Sequence, residues 1–341
     1  MNVYHYLPDF LKKLVSRYQI ARKEKELDLV IDHTGNIRSN DILLICVLRN
    51  EKNRIPYFLQ YYRGLGVNHF LFVDNESDDG FRDYISRLED CSVWLARGSY
   101  QKSRHGILWI NGLLGKYAVG RWCVVADPDE FLVFPDCETR NLHDLAANLD
   151  RVGKPHLFTF LLDMYSDLPV SRTFYREGMN PLAVCPYFDG EGYILKRHPS
   201  GHVWVNGGVR KRTFFQNEEE SPRLSKYPFV KWRKGIYFAF STHSFLPLSF
   251  GFAVNHLQPT PTGCLLHFKF FSTLFEKTRE EMHRRQHARN GWEYEKYALL
   301  REDESLAGKS SVKYVDSRQL VEMGLMSDGD KLGMFENNQS D

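Results

Sequence analysis

No apolar stretch of this chain is long enough to span a bilayer, and its N-terminus lacks the apolar block of a signal peptide. The six cysteines, Cys46, Cys91, Cys123, Cys137, Cys185 and Cys264, include no Cys-x-x-Cys pair. Three of them sit inside apolar, strand-like runs where a thiol reads as a small core residue, so a reduced, cytoplasmic compartment is expected. Without secretion, the sequons Asn75-Glu76-Ser77 and Asn338-Gln339-Ser340 carry no weight. An excess of one charge is lacking too. The net charge of +2 supplies no general attraction to nucleic acid, so any anion must be held by local groups. There is no Gly-x-x-x-x-Gly-Lys-Ser/Thr loop for a triphosphate and no Gly-x-Ser-x-Gly elbow. Gly64-Leu65-Gly66 closes a helix instead of opening one after a strand, which excludes the dinucleotide fingerprint.

What the chain does contain is a globular composition, 43% apolar and 14% aromatic over 341 residues, enough for one large core or two ordinary ones. Its most informative stretch is Val124-Val125-Ala126-Asp127-Pro128-Asp129-Glu130-Phe131-Leu132-Val133-Phe134, where two carboxylates one residue apart stand at the end of an apolar strand. Carboxylates beside a core need a compensating cation. In an α/β sheet, ligands bind beyond the carboxyl ends of the strands, so these acids face a cleft. A hard divalent ion held by one or two carboxylates keeps positions open for phosphate oxygens, which points to a nucleoside-diphosphate substrate. The simpler reading of an isolated Asp-x-Asp is a strand-end turn in which Asp caps a backbone amide.

The first thirty residues read as a helix with Leu7, Leu11, Leu14 and Tyr18 on one stripe and Lys12, Lys13, Arg17, Arg22, Lys23 and Lys25 elsewhere. The stripe needs a partner, either the rest of the protein or an anionic membrane surface, and the acids Asp9, Glu24 and Glu26 favour packing. From residue 42 strands and helices alternate: strand 42–48, a helix carrying Ile55, Phe58, Leu59 and Tyr62, strand 70–73, a helix with Phe81, Tyr84, Ile85 and Leu88, strand 93–96, a helix with Ile107, Ile110 and Leu114, and strand 122–126. Such a βαβ series gives an α/β fold with a mostly parallel sheet. After a short helix with Leu142, Leu145, Ala146 and Leu149, residues 151–265 are dense in Gly, Pro and aromatics and imply loops and short antiparallel strands. Thr273 with Glu276 forms a capping-box pattern at the head of a charged helix, and the tail beyond about 326 is polar and loose. The expected divisions are an N-terminal helical extension (1–40), a nucleotide-binding half (41–150), an acceptor-binding half (151–270) and a C-terminal helical region with its tail (271–341).

Arg49-Asn50-Glu51 follows the first of these strands, and Asp74-Asn75-Glu76-Ser77-Asp78-Asp79-Gly80 follows the second. With Asp127 and Asp129 after the fourth, three loops on one sheet edge present acids and amides, the layout of a nucleotide cleft at a topological switch point. Arg49, Asn50, Glu51, Asp74 and Asn75 are the donor-site candidates in the first two loops. A carboxylate there accepts from ribose hydroxyls or a base N–H. Asp74, directly after Val73, fits that role, whereas Asp78 and Asp79 serve as caps for the next helix.

These blocks resemble the bacterial family 2-like glycosyltransferases with the GT-A fold. The resemblance rests on Leu48-Arg49-Asn50-Glu51, the run 61–67, the run 69–80 and the run 127–132, and continues more loosely through 207–212 and 265–269, about residues 40–290 in all. It implies a GT-A-like (Rossmann-like) central sheet flanked by helices, with a smaller mixed or antiparallel acceptor region and C-terminal helices. It also implies a nucleotide-sugar donor, UDP-linked in the expected case, and a divalent metal, Mn²⁺ or Mg²⁺. In that pattern Asp74 lies near the base and ribose, Asp127 between ribose and metal, and Asp129 and His267 on the metal, while Arg104 and Asn111 fall where the family places donor contacts. A divalent ion bridging the diphosphate offsets charge on the leaving nucleotide. The acceptor would be a saccharide or a lipid-linked saccharide in surface polysaccharide synthesis, and the enzyme cytoplasmic and able to touch the inner membrane through its basic N-terminal helix.

Transfer to a hydroxyl, inverting in the expected case, also needs a base within hydrogen-bond reach, best served by an acid whose pKa is raised by partial burial. Phe188-Asp189-Gly190-Glu191-Gly192-Tyr193 supplies Asp189 and Glu191, because glycines let a loop close and aromatics line a sugar face. Asp163, within Leu161-Leu162-Asp163-Met164-Tyr165, is the other candidate. Each of these acids also suits a turn or a salt bridge, and the Glu-Asp pair common in the family is not present. Arg210-Lys211-Arg212 fits a diphosphate, a phosphate-bearing acceptor or a solvated face. His283 and His287 stand at i and i+4 but lack the carboxylate of a His-Glu-x-x-His site, and Arg284, Arg285 and Arg289 around them favour a surface helix. Two rival readings stand beside this one, the first of which uses the same acids. A nucleotidyltransferase acting on sugar phosphates would be expected to show a Gly-rich basic loop, and a non-catalytic carbohydrate-binding protein on this fold would show no metal requirement.

Overall fold

The computed structural model describes residues 8–197, 203–215, 217, 220–239, 241–251, 260–284, 286 and 291–329. Leu7, Arg285, His287, Arg289 and Asn338-Gln339-Ser340 lie outside them. Helix α1 (Asp9–Glu24) ends sooner than its periodicity implied, because the chain turns at Lys25 and Glu26 into an edge strand, β1 (Leu27–Ile31). The expected stripe is not its packed face. Leu14 and Tyr18 are 55% and 71% exposed, while Ser16 and Ile20 turn inward.

The alternation then follows the expected order: β2 (Leu43–Leu48), α2 (Ile55–Gly64), β3 (His69–Asp74), α3 (Phe81–Ile85), β4 (Cys91–Ala96), α4 (Ile107–Leu113) and β5 (Trp122–Val125). Every residue of these four strands is buried, as strands covered on both faces must be; their near-continuous apolar runs tolerate it, and the polar exceptions are partnered, His69 with Ser92 and Asp74 with Arg82. Next come β6 (Glu130–Val133), α5 (Leu142–Arg151) and β7 (His156–Asp163). Asn141 caps α5 by accepting from the amides of His143 and Asp144, and Asp144 returns the bond to the cap's own amide, so the capping box fixes where α5 starts. The aromatic-rich region holds β8 (Tyr187–Asp189), β9 (Ile194–Arg197), β10 (Val203–Asn206), α6 (Gly208–Phe214), β11 (Ser225–Lys231), β12 (Tyr237–Phe238), β13 (Phe245–Leu246) and β14 (Thr262–His267), and the chain ends in α7 (Leu274–Arg284), α8 (Trp292–Tyr297), β15 (Ser311–Lys313) and α9 (Ser317–Glu322).

Nine strands form one sheet in the order β1-β4-β3-β2-β5-β11-β7-β14-β6. Strands β4, β3, β2 and β5 are mutually parallel. Across antiparallel β11 the chain regains the same sense in β7 and β14, while β1 and β6 run against their neighbours. Six of the nine strands thus share one direction, the mostly parallel α/β sheet that the alternation of strands and helices implied. Antiparallel pairs β9–β10, β12–β13 and β8–β15 lie outside it. The strand order reverses at β2, with β3 and β4 to one side and β5 to the other, so the carboxyl ends of β2 and β5 flank the switch point where open α/β sheets hold ligands.

Helix α2 secures that edge. It buries Ile55, Phe58, Leu59 and Tyr62, the stripe read from the sequence, and its tyrosines reach β6: Tyr61 Oη donates to the Leu132 carbonyl at 2.7 Å and Tyr62 Oη to that of Glu130 at 2.9 Å. Phe131 fills the space between, against the rings of Tyr57, Phe58, Tyr61, Tyr62 and Phe268.

Candidate active site

Strand register assembles the site. His267 closes β14, where the antiparallel pairing with β6 sets it opposite Glu130 and the parallel pairing with β7 sets it opposite Asp163. Asp127-Pro128-Asp129 is the turn from β5 into β6, closed by the Glu130 amide donating to the Asp127 carbonyl at 3.0 Å. The Asp129 carbonyl accepts from the amide of Phe268 at 2.9 Å, which holds the turn beside His267. As a result one ligating atom each of Asp129, Glu130 and His267 lies within 4.8 Å of the other two. Two carboxylates and an imidazole form the oxygen-rich donor set that suits Mn²⁺ or Mg²⁺, so these residues fit a divalent ion.

The charges of this cluster are mutually held. Burial pushes the Asp129 carboxyl up, but His267, Arg54 and Lys277 outweigh it and hold the group well below the usual carboxylate range. For His267 burial opposes the charged form, yet Asp129 and Asp163 raise its pKa above the ordinary imidazole value. Glu130, fully enclosed at the head of β6, is pushed up to about 7, by burial first, against the pull of Lys226, with Asp127 adding repulsion. Lys226 on β11 bridges the pair: its Nζ contacts Glu130 Oε1 and stands 3.1 Å from Asp127 Oδ2. Asp127 itself is half-exposed, 52% by side chain, and is not part of the metal-capable group, in which Glu130 stands instead.

A cleft of about 230 Å³ opens at this edge and is lined by Arg49, Glu51, Asn75, Asp127, Asp129 and His267, among others. Arg49 Nη1 donates to the Asn75 carbonyl at 2.9 Å, and its buried Nε has no partner among the described residues. Glu51 is fixed by Arg54 Nε at 2.7 Å and by Lys277 Nζ. Asn75 Nδ2 donates to the carbonyls of Ala96 at 2.8 Å and Gly98 at 3.1 Å, tying the β3 and β4 ends together.

Other residues singled out in the sequence stand elsewhere. Asp74 closes β3 with a fully buried side chain, paired with Arg82 and accepting from the Ser77 amide at 2.8 Å; it does not line the cleft. Asn50 accepts from the Asp78 amide at 3.0 Å and orders the loop. Arg104 donates to the Ala239 carbonyl at 2.7 Å and to Gln19 Oε1 at 2.6 Å, and Asn111 exchanges two hydrogen bonds of 2.9 Å with the backbone of Phe238. Arg104, just ahead of α4, therefore links α1 to the chain after β12, and Asn111 ties α4 to β12. Asp189 is clamped by two Arg212 contacts of 3.0 Å and accepts from Tyr165 Oη at 2.5 Å; Glu191 is exposed two residues on. Asp163 lies directly behind His267, and Arg210 Nε reaches its other oxygen at 2.7 Å.

Sequence reasoning missed Glu130 and Lys226. A buried acid opening Phe131-Leu132-Val133 and a single cation within Leu224-Ser225-Lys226-Tyr227 are the local signals that could have found them, since each is a charge where a strand offers none.

No protein-family model and no curated protein matches the chain. Solved structures that are similar at low identity include the following three. A 4-diphosphocytidyl-2C-methyl-D-erythritol synthase is 16% identical over 38% of this chain and 63% of its own, with a TM-score of 0.25. The glucosyl-3-phosphoglycerate synthase of Mycobacterium tuberculosis, in complex with Mn²⁺, uridine diphosphate and phosphoglyceric acid, is 11% identical over 37% of this chain and 44% of its own, TM-score 0.23. A mannose-1-phosphate geranyltransferase from Thermus thermophilus is 11% identical over 78% of this chain and 72% of its own, TM-score 0.27. The chain spans less than two thirds of the first two of these proteins.

Proposed function

We propose that the chain is a metal-dependent glycosyltransferase, of hexosyltransferase type, that moves a sugar from a nucleotide donor, UDP-linked, to a hydroxyl of a saccharide or lipid-linked saccharide. The observation that supports this reading most directly is the meeting of Asp129, Glu130 and His267 within 4.8 Å in a cleft whose other wall is Arg49, Glu51 and Asn75. That arrangement sets a cation-holding group beside a nucleotide-sized slot at the switch point of the sheet. A bound divalent ion would supply neutralisation of the charge that gathers on the leaving diphosphate. Arg49 would donate to a phosphate or ribose oxygen from its unpaired Nε, Glu51 and Asn75 would line the nucleoside, and Asp127 would give up Lys226 to face the donor. Asp163 is assigned to orienting His267. The inverting outcome, the cytoplasmic setting, the place in surface polysaccharide synthesis and a membrane contact through α1 belong to the same proposal.

A thermal-shift screen of UDP-, GDP- and CMP-sugars with and without Mn²⁺ tests it. UDP-sugars are expected to raise the melting temperature only with the metal, and Asp129→Ala to abolish that rise. A shift equal in EDTA would favour a carbohydrate-binding module, and pyrophosphate release from UTP with a sugar phosphate would favour a nucleotidyltransferase.

A further inference from the structure

A second cavity, of about 680 Å³, adjoins the cleft and shares Asp127, His267, Lys269 and Tyr294 with it. Its far wall comes from β9, β10, α6 and β11. Five cationic side chains line it, Lys196, Arg210, Arg223, Lys226 and Lys269, against three carboxylates, Asp127, Glu130 and Glu293. Trp204, Trp292 and Tyr294 supply aromatic surface, and the Arg223 guanidinium sits 3.5 Å from the centre of the Trp204 ring. Such a wall stacks on a sugar face while presenting a planar cation at its rim.

Arg210 gives the sharper indication. Its side chain is 4% exposed, Nε is engaged by Asp163 at 2.7 Å and Nη1 lies 3.7 Å from Glu293, yet Nη2 is buried with no hydrogen-bond partner among the described residues. A buried guanidinium donor left unmade is unfavourable, and a ligand oxygen would complete it. Guanidinium forks match carboxylates and phosphates, with which they form the stronger, charge-assisted bonds.

We propose that this cavity is the acceptor site and that its ligand is a saccharide carrying an anionic group, a carboxylate or a phosphate, read by Arg210 with Arg223 and Lys196. The assignment of the cavity as the acceptor side rests on the glycosyltransferase reading; the anion preference rests on the cavity itself. Calorimetry on the full chain with three probes, methyl glucoside, methyl glucuronide and glucose 6-phosphate, tests it, with UDP plus Mn²⁺ titrated in parallel. At least one anionic probe is expected to bind about tenfold or more tighter than the neutral glucoside, and the stronger of the two identifies the group. Lys196→Gln/Arg223→Gln, which leaves the buried Arg210 pair intact, is expected to remove that preference while UDP affinity stays the same; Arg210→Met is expected to remove it too if it folds. Equal binding of all three probes, binding of none of them, or an anion preference unchanged in the double variant overturns the proposal. A chain that prefers the anionic probes through these residues but binds no UDP with Mn²⁺ keeps the anion site and loses the donor reading.

Discussion

His267 Nδ1 lies 2.5 Å from Asp163 Oδ1, and the opposite ring nitrogen faces Asp129 Oδ2 at 3.6 Å. A carboxylate behind an imidazole fixes its tautomer and raises its basicity toward a cation in front. Asp163→Asn is therefore expected to weaken Mn²⁺ binding about 10- to 100-fold, measured by calorimetry with the metal alone. It should also lower stability by about 3–5 kcal/mol, because Arg210 loses its buried counter-charge. A general base would behave differently, losing transfer with metal affinity intact, and that outcome would return Asp163 to the chemistry.

The same pair sets a pH dependence with two signs. In the metal-free protein the folded-state pKa of His267 is raised above the ordinary 6.5 by Asp129 and Asp163, in spite of burial. Its contribution to stability is thus fully present below about 6.5 and is lost as pH rises through the raised value. The metal takes only the neutral ring, so Mn²⁺ affinity should climb over that same window. Melting curves in EDTA and in Mn²⁺ should diverge as pH rises from about 6 to about 9, Glu130 adding to the divergence as it deprotonates at about 7, and His267→Gln should reduce the divergence to the share that Glu130 supplies. Parallel curves for the native chain would remove His267 from the metal.

Much of this was legible in the chain. Leu43–Leu48, His69–Asp74 and Cys91–Ala96 are runs that only a sheet covered on both faces can bury, and the acids after such strands point to one edge. Strand β1 was not legible, because an edge strand whose middle residues are exposed has no pattern to separate it from the end of α1. Nor was the distribution of roles among acids. Asp74 and Asp189 look in sequence like site acids, but each faces an arginine, Arg82 and Arg212, that only folding brings to it. Lys226 meets Asp127 across 99 positions of chain, a contact made by the order of strands and by nothing local.

Glu293 on α8 carries a further titration. Burial would raise its carboxyl, but Lys269 and Arg210 hold it down at about 2. A depressed carboxylate contributes stability above its unfolded value of 4.5 that is lost as pH falls toward about 2. Glu293→Gln is expected to start less stable at neutral pH and to lose less between about pH 6 and about pH 3 in urea titrations. An identical acid slope in variant and native protein would mean that the ion pairs do not form.

Phe10, Leu14 and Tyr18 leave an apolar ridge on α1, 63%, 55% and 71% exposed, with Arg17 and Arg22 exposed nearby. If α1 touches an anionic bilayer, Leu14→Ser/Tyr18→Ser should reduce sedimentation with phosphatidylglycerol-containing vesicles. Stability should change by no more than about 0.5 kcal/mol per site, since side chains this exposed contribute little to packing. Undiminished vesicle binding in the variant would separate α1 from the membrane.

Phe131 stands two residues past Asp129 and is enclosed by three tyrosines of α2 and by Phe58 and Phe268. The aspartate turn owes its position to β6, and β6 is held by that ring cluster together with the hydroxyls of Tyr61 and Tyr62. Phe131→Ala is expected to cost about 3–5 kcal/mol in urea denaturation. It should also weaken Mn²⁺ binding, because Glu130 and Asp129 lose the strand that aims them. Tyr61→Phe removes one hydroxyl and no ring, so it should shift stability by only about 1 kcal/mol with a smaller effect on the metal. If Phe131→Ala folds with native Mn²⁺ affinity, the turn is positioned by β5 and Phe268 instead, and the aromatic cluster serves the core alone.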